Sequence, residues 1–145
     1  MIGDPTELGR RVARRFIVRG VRPAVRDLAA QMGITIAERP APPPAQPDLR
    51  SEYQQNPPCI ILYRDTIDML AGAVHANQRF DMMACDLDDV HIAHELFHHL
   101  ESGERFGPLR NDEVEAAAHG FAQALLDLCF HPDELSGCDL GAGSG

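Results

Sequence analysis

The sequence predicts an α+β domain. Apolar residues recur every three to four positions over 6–19, 22–32 and 111–130, the signature of amphipathic helices. Cys59 to Arg64, CIILYR, is a short β-branched run directly after Pro57-Pro58, the clearest strand. Between them lies His94-Glu95-Leu96-Phe97-His98, a His-Glu-x-x-His spacing that brings both imidazoles to one face only if the backbone is helical.

Thr6 to Arg19 reads as the first helix, with Thr6 as its N-cap, Leu8, Val12 and Phe16 stepping along one side, and Gly20 ending it. It forms an Arg-rich N-terminal region over 1–22, carrying Arg10, Arg11, Arg14, Arg15 and Arg19. A solvated face lying against the acidic remainder is the preferred reading, ahead of a nucleic-acid surface. Arg22 to Met32 is a second helix, with Pro23 in its first turn and Gly33 as C-cap. Ile34 to Ala37 alternates and is β-branched, so it reads as a strand rather than as the recognition helix of a helix-turn-helix. Arg39 to Pro47 holds five prolines and excludes helix; with the polar residues to Pro58 it forms a Pro-rich loop over 39–58, with a short strand around Tyr53. Asp65 to Ala76 has helical spacing at Ile67, Leu70, Ala71 and Val74. Phe80 to Cys85 suits an edge strand or the approach to the next helix. That helix is expected to be capped by Asp86 or Asp88 and closed by Gly103. Asn111 caps a last helix running to about Phe130, before Pro132, and Ser136 to Gly145 is a Gly/Ser-rich disordered tail. The expectation is therefore one domain over 1–135, followed by the tail at 136–145.

With 145 residues the chain is long enough to bury a core. Its net charge of −9 is uneven: residues 1–40 hold eight Arg against four acids, and the remainder holds five Arg against eighteen. Direct binding to nucleic acid is disfavoured by that acidic remainder. No stretch reaches the roughly 18 apolar residues of a membrane span, and the first residues have no apolar run suited to a signal peptide. Cys59, Cys85, Cys129 and Cys138 show no C-x-x-C spacing, so the expectation is a cytoplasmic protein with free thiols.

His94 and His98 at i and i+4 suit one Zn²⁺, and Glu95, about 100° around the helix, is placed to take a proton from a water at the metal. A third ligand should come from the next helix, whose start carries Asp112, Glu113 and Glu115, with His119 one turn beyond. His91 precedes His94 by one turn, and His91 and His119 are candidates to orient the ligands from behind. His99 should point away from the metal. Tyr53 and Tyr63 are the two tyrosines available to stabilise an oxyanion.

HExxH followed by Glu115, Ala118, Phe121, Ala122, Leu125 and Leu126, in the pattern E-x-x-A-x-x-F-A-x-x-L-L, resembles the ImmA/IrrE-type metallopeptidases. RDLAAQMGITI and CIILYR fit that family's order of elements, so the resemblance covers roughly Pro23 to Pro132. The resemblance implies a small zincin-like domain, with a twisted sheet packed on the HExxH helix and a following helix carrying the third ligand. It implies zinc on His94, His98 and Glu115, Glu95 as general base and acid, and a helix-turn-helix repressor as protein substrate. The buried stripe of the last helix, through Val114, Ala118, Phe121, Leu125 and Leu128, also favours Glu115, which borders it, over Glu113, which should face water. Two departures stand out. The proline that often follows the Leu-Leu pair is displaced to Pro132, and no appended helix-turn-helix or sensor is evident, so regulation would come from a partner. The alternative function is a non-catalytic zinc module that sequesters a partner protein; Glu95, which zinc retention alone does not need, argues for the enzyme.

Overall fold

A computed structural model describes residues 3–77, 84–104 and 106–128. Among them are five helices and a three-stranded mixed sheet. The order is α1 (Pro5–Arg14), α2 (Val25–Gln31), β1 (Thr35–Arg39), β2 (Ser51–Gln54), β3 (Cys59–Tyr63), α3 (Arg64–Asn77), α4 (Ala84–Glu104) and α5 (Asn111–Leu126).

β3 is the central strand, parallel to β1 and antiparallel to β2. Its near-continuous apolar sequence follows from that position: Ile60, Ile61, Leu62 and Tyr63 are all buried, as a strand covered on both faces requires. Among the described residues β2 pairs with β3 alone and is a sheet edge beside α4. The α4 helix touches α2, α3, α5, β2 and β3, which explains why apolar residues run nearly all round it. Leu87, Val90, Ile92, Ala93, Leu96 and Phe97 are buried there, and Phe97 packs on Phe121 of α5 with ring centroids 5.8 Å apart.

Several element ends differ from the sequence expectation. Asp4, not Thr6, caps α1, because its Oδ1 accepts the Thr6 N–H at 3.0 Å and Pro5 fills the first turn. The helix stops at Arg14 instead of filling most of 1–22. Arg19 and Gly20 both take positive φ, 54° and 76°, making a tight reversal that pairs Val18 with Val21. The second helix begins at Val25, two residues after Pro23, and Gly33 follows its end at φ 74°. Within the 39–58 segment, β2 forms around Tyr53 as expected. Helix α4 has already begun before Asp86 and Asp88, so neither caps it. Asp88 instead accepts from Arg64 at 2.8 Å, and Arg64 also binds Glu38 and Asp68, tying sheet, α3 and α4 together. Gly103 does not close α4, which continues to Glu104. Asn111 is the first residue of α5, not its cap: the Arg110 N–H binds Glu113 Oε1 at 3.0 Å. The same helix ends at Leu126, where Asp127 turns left-handed at φ 57° and the Leu128 N–H closes on the Gln123 carbonyl. Residues 78–83, Cys129, Phe130, Pro132, Cys138 and the tail at 136–145 lie outside the described residues. Cys59 is a free thiol.

Helices α1 and α5 pack backbone against backbone, and glycine makes it possible. A Cβ on Gly9 would sit 1.8 Å from the Ala117 carbonyl oxygen, and one on Gly120 would sit 2.1 Å from the Thr6 carbonyl oxygen. Arg10 then donates to Gln123 across the contact at 2.8 Å, while Arg14 pairs with Glu7 and Arg15 with Glu104. This contact fixes where α5 lies, and with it the side chains α5 offers to α4.

Candidate metal centre

One face of α4 carries His91, His94, Glu95 and His98 into a cavity of about 360 Å³. The opposite walls are Asp48 to Ser51 leading into β2, Leu70 of α3, and Glu115 and His119 of α5. His94 and His98 lie one turn apart and point their Nε2 atoms at each other, 3.2 Å apart. Glu115 closes the triangle: Oε2 is 2.9 Å from His94 Nε2 and Oε1 is 3.1 Å from His98 Nε2. These three residues form the group that can hold a metal ion among the described residues.

The donor set fits a metal on chemical grounds. Two ligands at roughly 2.0–2.1 Å from a tetrahedral ion stand about 3.3–3.4 Å apart. The observed separations come close to that spacing, so little rearrangement separates this geometry from coordination. The electrostatics agree. Hydrogen bonds from His94 and His98 hold the Glu115 carboxyl far below the usual carboxylate range. Burial works against charge on His98, but the Glu115 hydrogen bond and the nearby Glu95, Glu115 and Glu101 charges outweigh it and raise its pKa. A cation at the centre of the triangle would substitute for these proton-mediated contacts.

The other carboxylates at the start of α5 are engaged elsewhere. Glu113 is not simply turned to water: it caps its own helix through the Arg110 N–H, and Asp112 accepts from the Arg110 guanidinium at 3.1 Å. His119 lines the same cavity, its ring 4.8 Å from that of His94. His91 is half-buried and donates its Nδ1–H to the Leu87 carbonyl at 2.7 Å; loss of hydration lowers its pKa to about 4. It therefore stays neutral and lines the cavity without joining the three ligands. His99 does turn away from the metal face, but to a partner: its Nδ1 is 2.6 Å from the Tyr53 hydroxyl.

Glu95 is almost fully buried, at 6% exposure, which an isolated carboxylate would not tolerate. Ser51 makes this possible, donating from Oγ to Glu95 Oε2 at 2.7 Å. Sequence reasoning missed Ser51, Arg50 and Asp48. Their one signal is alternation: Ser51 and Tyr53 fall on the same face of a strand, but nothing in the order of residues says which helix that face meets. No family model matches this chain, and neither does any curated protein or solved structure.

Proposed function

We propose that the protein is a zinc-dependent peptidase of the ImmA/IrrE type, with a zincin-like arrangement of sheet edge, HExxH helix and ligand-bearing helix. The observation that carries this reading is the buried Glu95 beside the His94, His98 and Glu115 triangle, locked by Ser51. A site built only to retain a metal has no use for a buried, oriented carboxylate next to its ligands. Zinc, held by those three side chains, would supply polarisation of the scissile carbonyl and lower the pKa of a water toward about 7.

The chain's own residues do the rest. Glu95 takes a proton from the attacking water as its oxygen bonds to the carbonyl carbon and the carbonyl π pair moves to oxygen. The tetrahedral adduct collapses with loss of the C–N bond, and Glu95 passes the same proton to the leaving nitrogen. The net change is one water consumed and one carboxyl and one amine released. Among the described residues β2 pairs on one side alone, so its other edge, beside the cavity, offers backbone groups to an extended peptide, and Leu49, Leu70 and Val90 suit an apolar side chain. A helix-turn-helix repressor is the substrate this reading favours. Direct nucleic-acid binding is not part of it, since Arg10, Arg14 and Arg15 engage Gln123, Glu7 and Glu104. Among the described residues no helix is long and apolar enough to cross a membrane.

The test is to incubate zinc-loaded protein with candidate repressors, with and without chelator, beside Glu95→Gln. Wild type should cut one of them in a chelator-sensitive way. Glu95→Gln should keep its fold and metal and lose on the order of 10²-fold or more in rate. Cleavage by Glu95→Gln at the wild-type rate would remove Glu95 from the mechanism. Zinc-dependent binding of a repressor without cleavage would instead support the sequestering module.

A further inference from the structure

We propose that Tyr53 donates the hydrogen bond that stabilises the oxyanion of the tetrahedral adduct, and that His99 is the positioning residue that holds its phenol at the cleft wall. This rests on the peptidase reading.

Ser51 and Tyr53 are two residues apart on β2, so they share a face about 6.6 Å apart. Glu95 and His99 are four residues apart on α4, so they share a face about 6 Å apart. The two spacings match, and both rungs form: Ser51 Oγ to Glu95 at 2.7 Å and Tyr53 Oη to His99 Nδ1 at 2.6 Å, with the two rings edge to face at 5.5 Å. The strand alignment that seats the general base therefore seats the phenol as well. Tyr53 is half-buried and lines a second cavity, which shares Glu95 and His98 with the cavity of the candidate metal group.

Hydrogen-bond chemistry narrows the donors. Ser51 gives its proton to Glu95. His91 gives its Nδ1–H to the Leu87 carbonyl. Tyr63, the other tyrosine, is buried in β3 and donates to Glu52 at 2.8 Å. In this assignment the His99 proton sits on Nδ1, so that the imidazole donates to Tyr53 Oη and the phenol O–H is left for the cavity it lines. A fixed donor aimed where negative charge develops is the arrangement that stabilises an oxyanion. Arg50 lines the cavity of the candidate metal group and is the rival donor.

The test needs no substrate. Cobalt(II)-substituted protein is titrated with acetohydroxamic acid, whose two oxygens resemble those of the adduct, and the visible spectrum is followed. Tyr53→Phe should keep cobalt affinity and thermal stability and weaken hydroxamate binding about tenfold. Tyr63→Phe should bind it as wild type does. Equal hydroxamate affinity for Tyr53→Phe and wild type overturns the assignment, as does a loss carried by Arg50→Gln alone. Cobalt-loaded wild type that gives no hydroxamate response contradicts an open coordination position and, with it, the role of Tyr53. Wild type that takes up no cobalt contradicts the metal centre itself, a failure visible in the spectrum before any hydroxamate is added.

Discussion

Glu115→Ala should weaken zinc binding by more than the roughly 100-fold that losses behind a ligand cost, because it removes a ligand itself. Glu115 is the only α5 carboxylate within reach of both imidazoles, at 2.9 and 3.1 Å. Its side chain is 52% exposed, so truncation opens no core cavity and should leave the fold intact. Glu113→Ala is the control. That change removes the acceptor of the Arg110 N–H and should cost about 1 kcal/mol of stability while leaving metal affinity unchanged. Competition with a chelating indicator measures both variants. Equal affinities, or a larger loss for Glu113→Ala, would move the ligand off Glu115.

Gly9→Ala should be the most destabilising single-methyl change in the protein. In an exposed helix interior Gly→Ala stabilises by roughly 0.8–1 kcal/mol. At Gly9 the added carbon would lie 1.8 Å from a backbone oxygen and 2.8 Å from the Phe121 nitrogen, and backbone cannot swing aside as a side chain can. The helices must separate, at a cost of about 3 kcal/mol or more and a fall in Tm of roughly 10 °C. Gly120→Ala meets the Thr6 backbone in the same way. Gly72→Ala on α3, with nothing within 4 Å of its Cβ, should instead raise Tm slightly. Thermal unfolding of the three variants checks the contrast. A Gly9→Ala protein as stable as wild type would mean that α1 and α5 do not cross this closely.

Where local chemistry dominates, the sequence was readable. HExxH spacing announces a helix and a two-imidazole face, and CIILYR announces a strand. The last helix's apolar stripe points to Glu115 rather than Glu113, because helical period alone decides which side chains border the buried face. Element ends were less legible, since each was decided by one side chain finding one backbone group: Asp4 with the Thr6 N–H, Glu113 with the Arg110 N–H, and Asp127 in a left-handed turn. Asp88 looked like a cap because a carboxylate suits a helix start, but Arg64, distant in sequence, claims it. Ser51 with Glu95 and Tyr53 with His99 were invisible for the same reason. They depend on an edge strand meeting a helix more than forty residues away, and no periodicity within either segment encodes that meeting.

The central claim is that His94, His98 and Glu115 form a zinc site. Elemental analysis of protein purified without added metal tests it most directly. About one zinc per chain is expected, tightly held and removable by a strong chelator. Well below half an equivalent, with no uptake when zinc is restored, would contradict it.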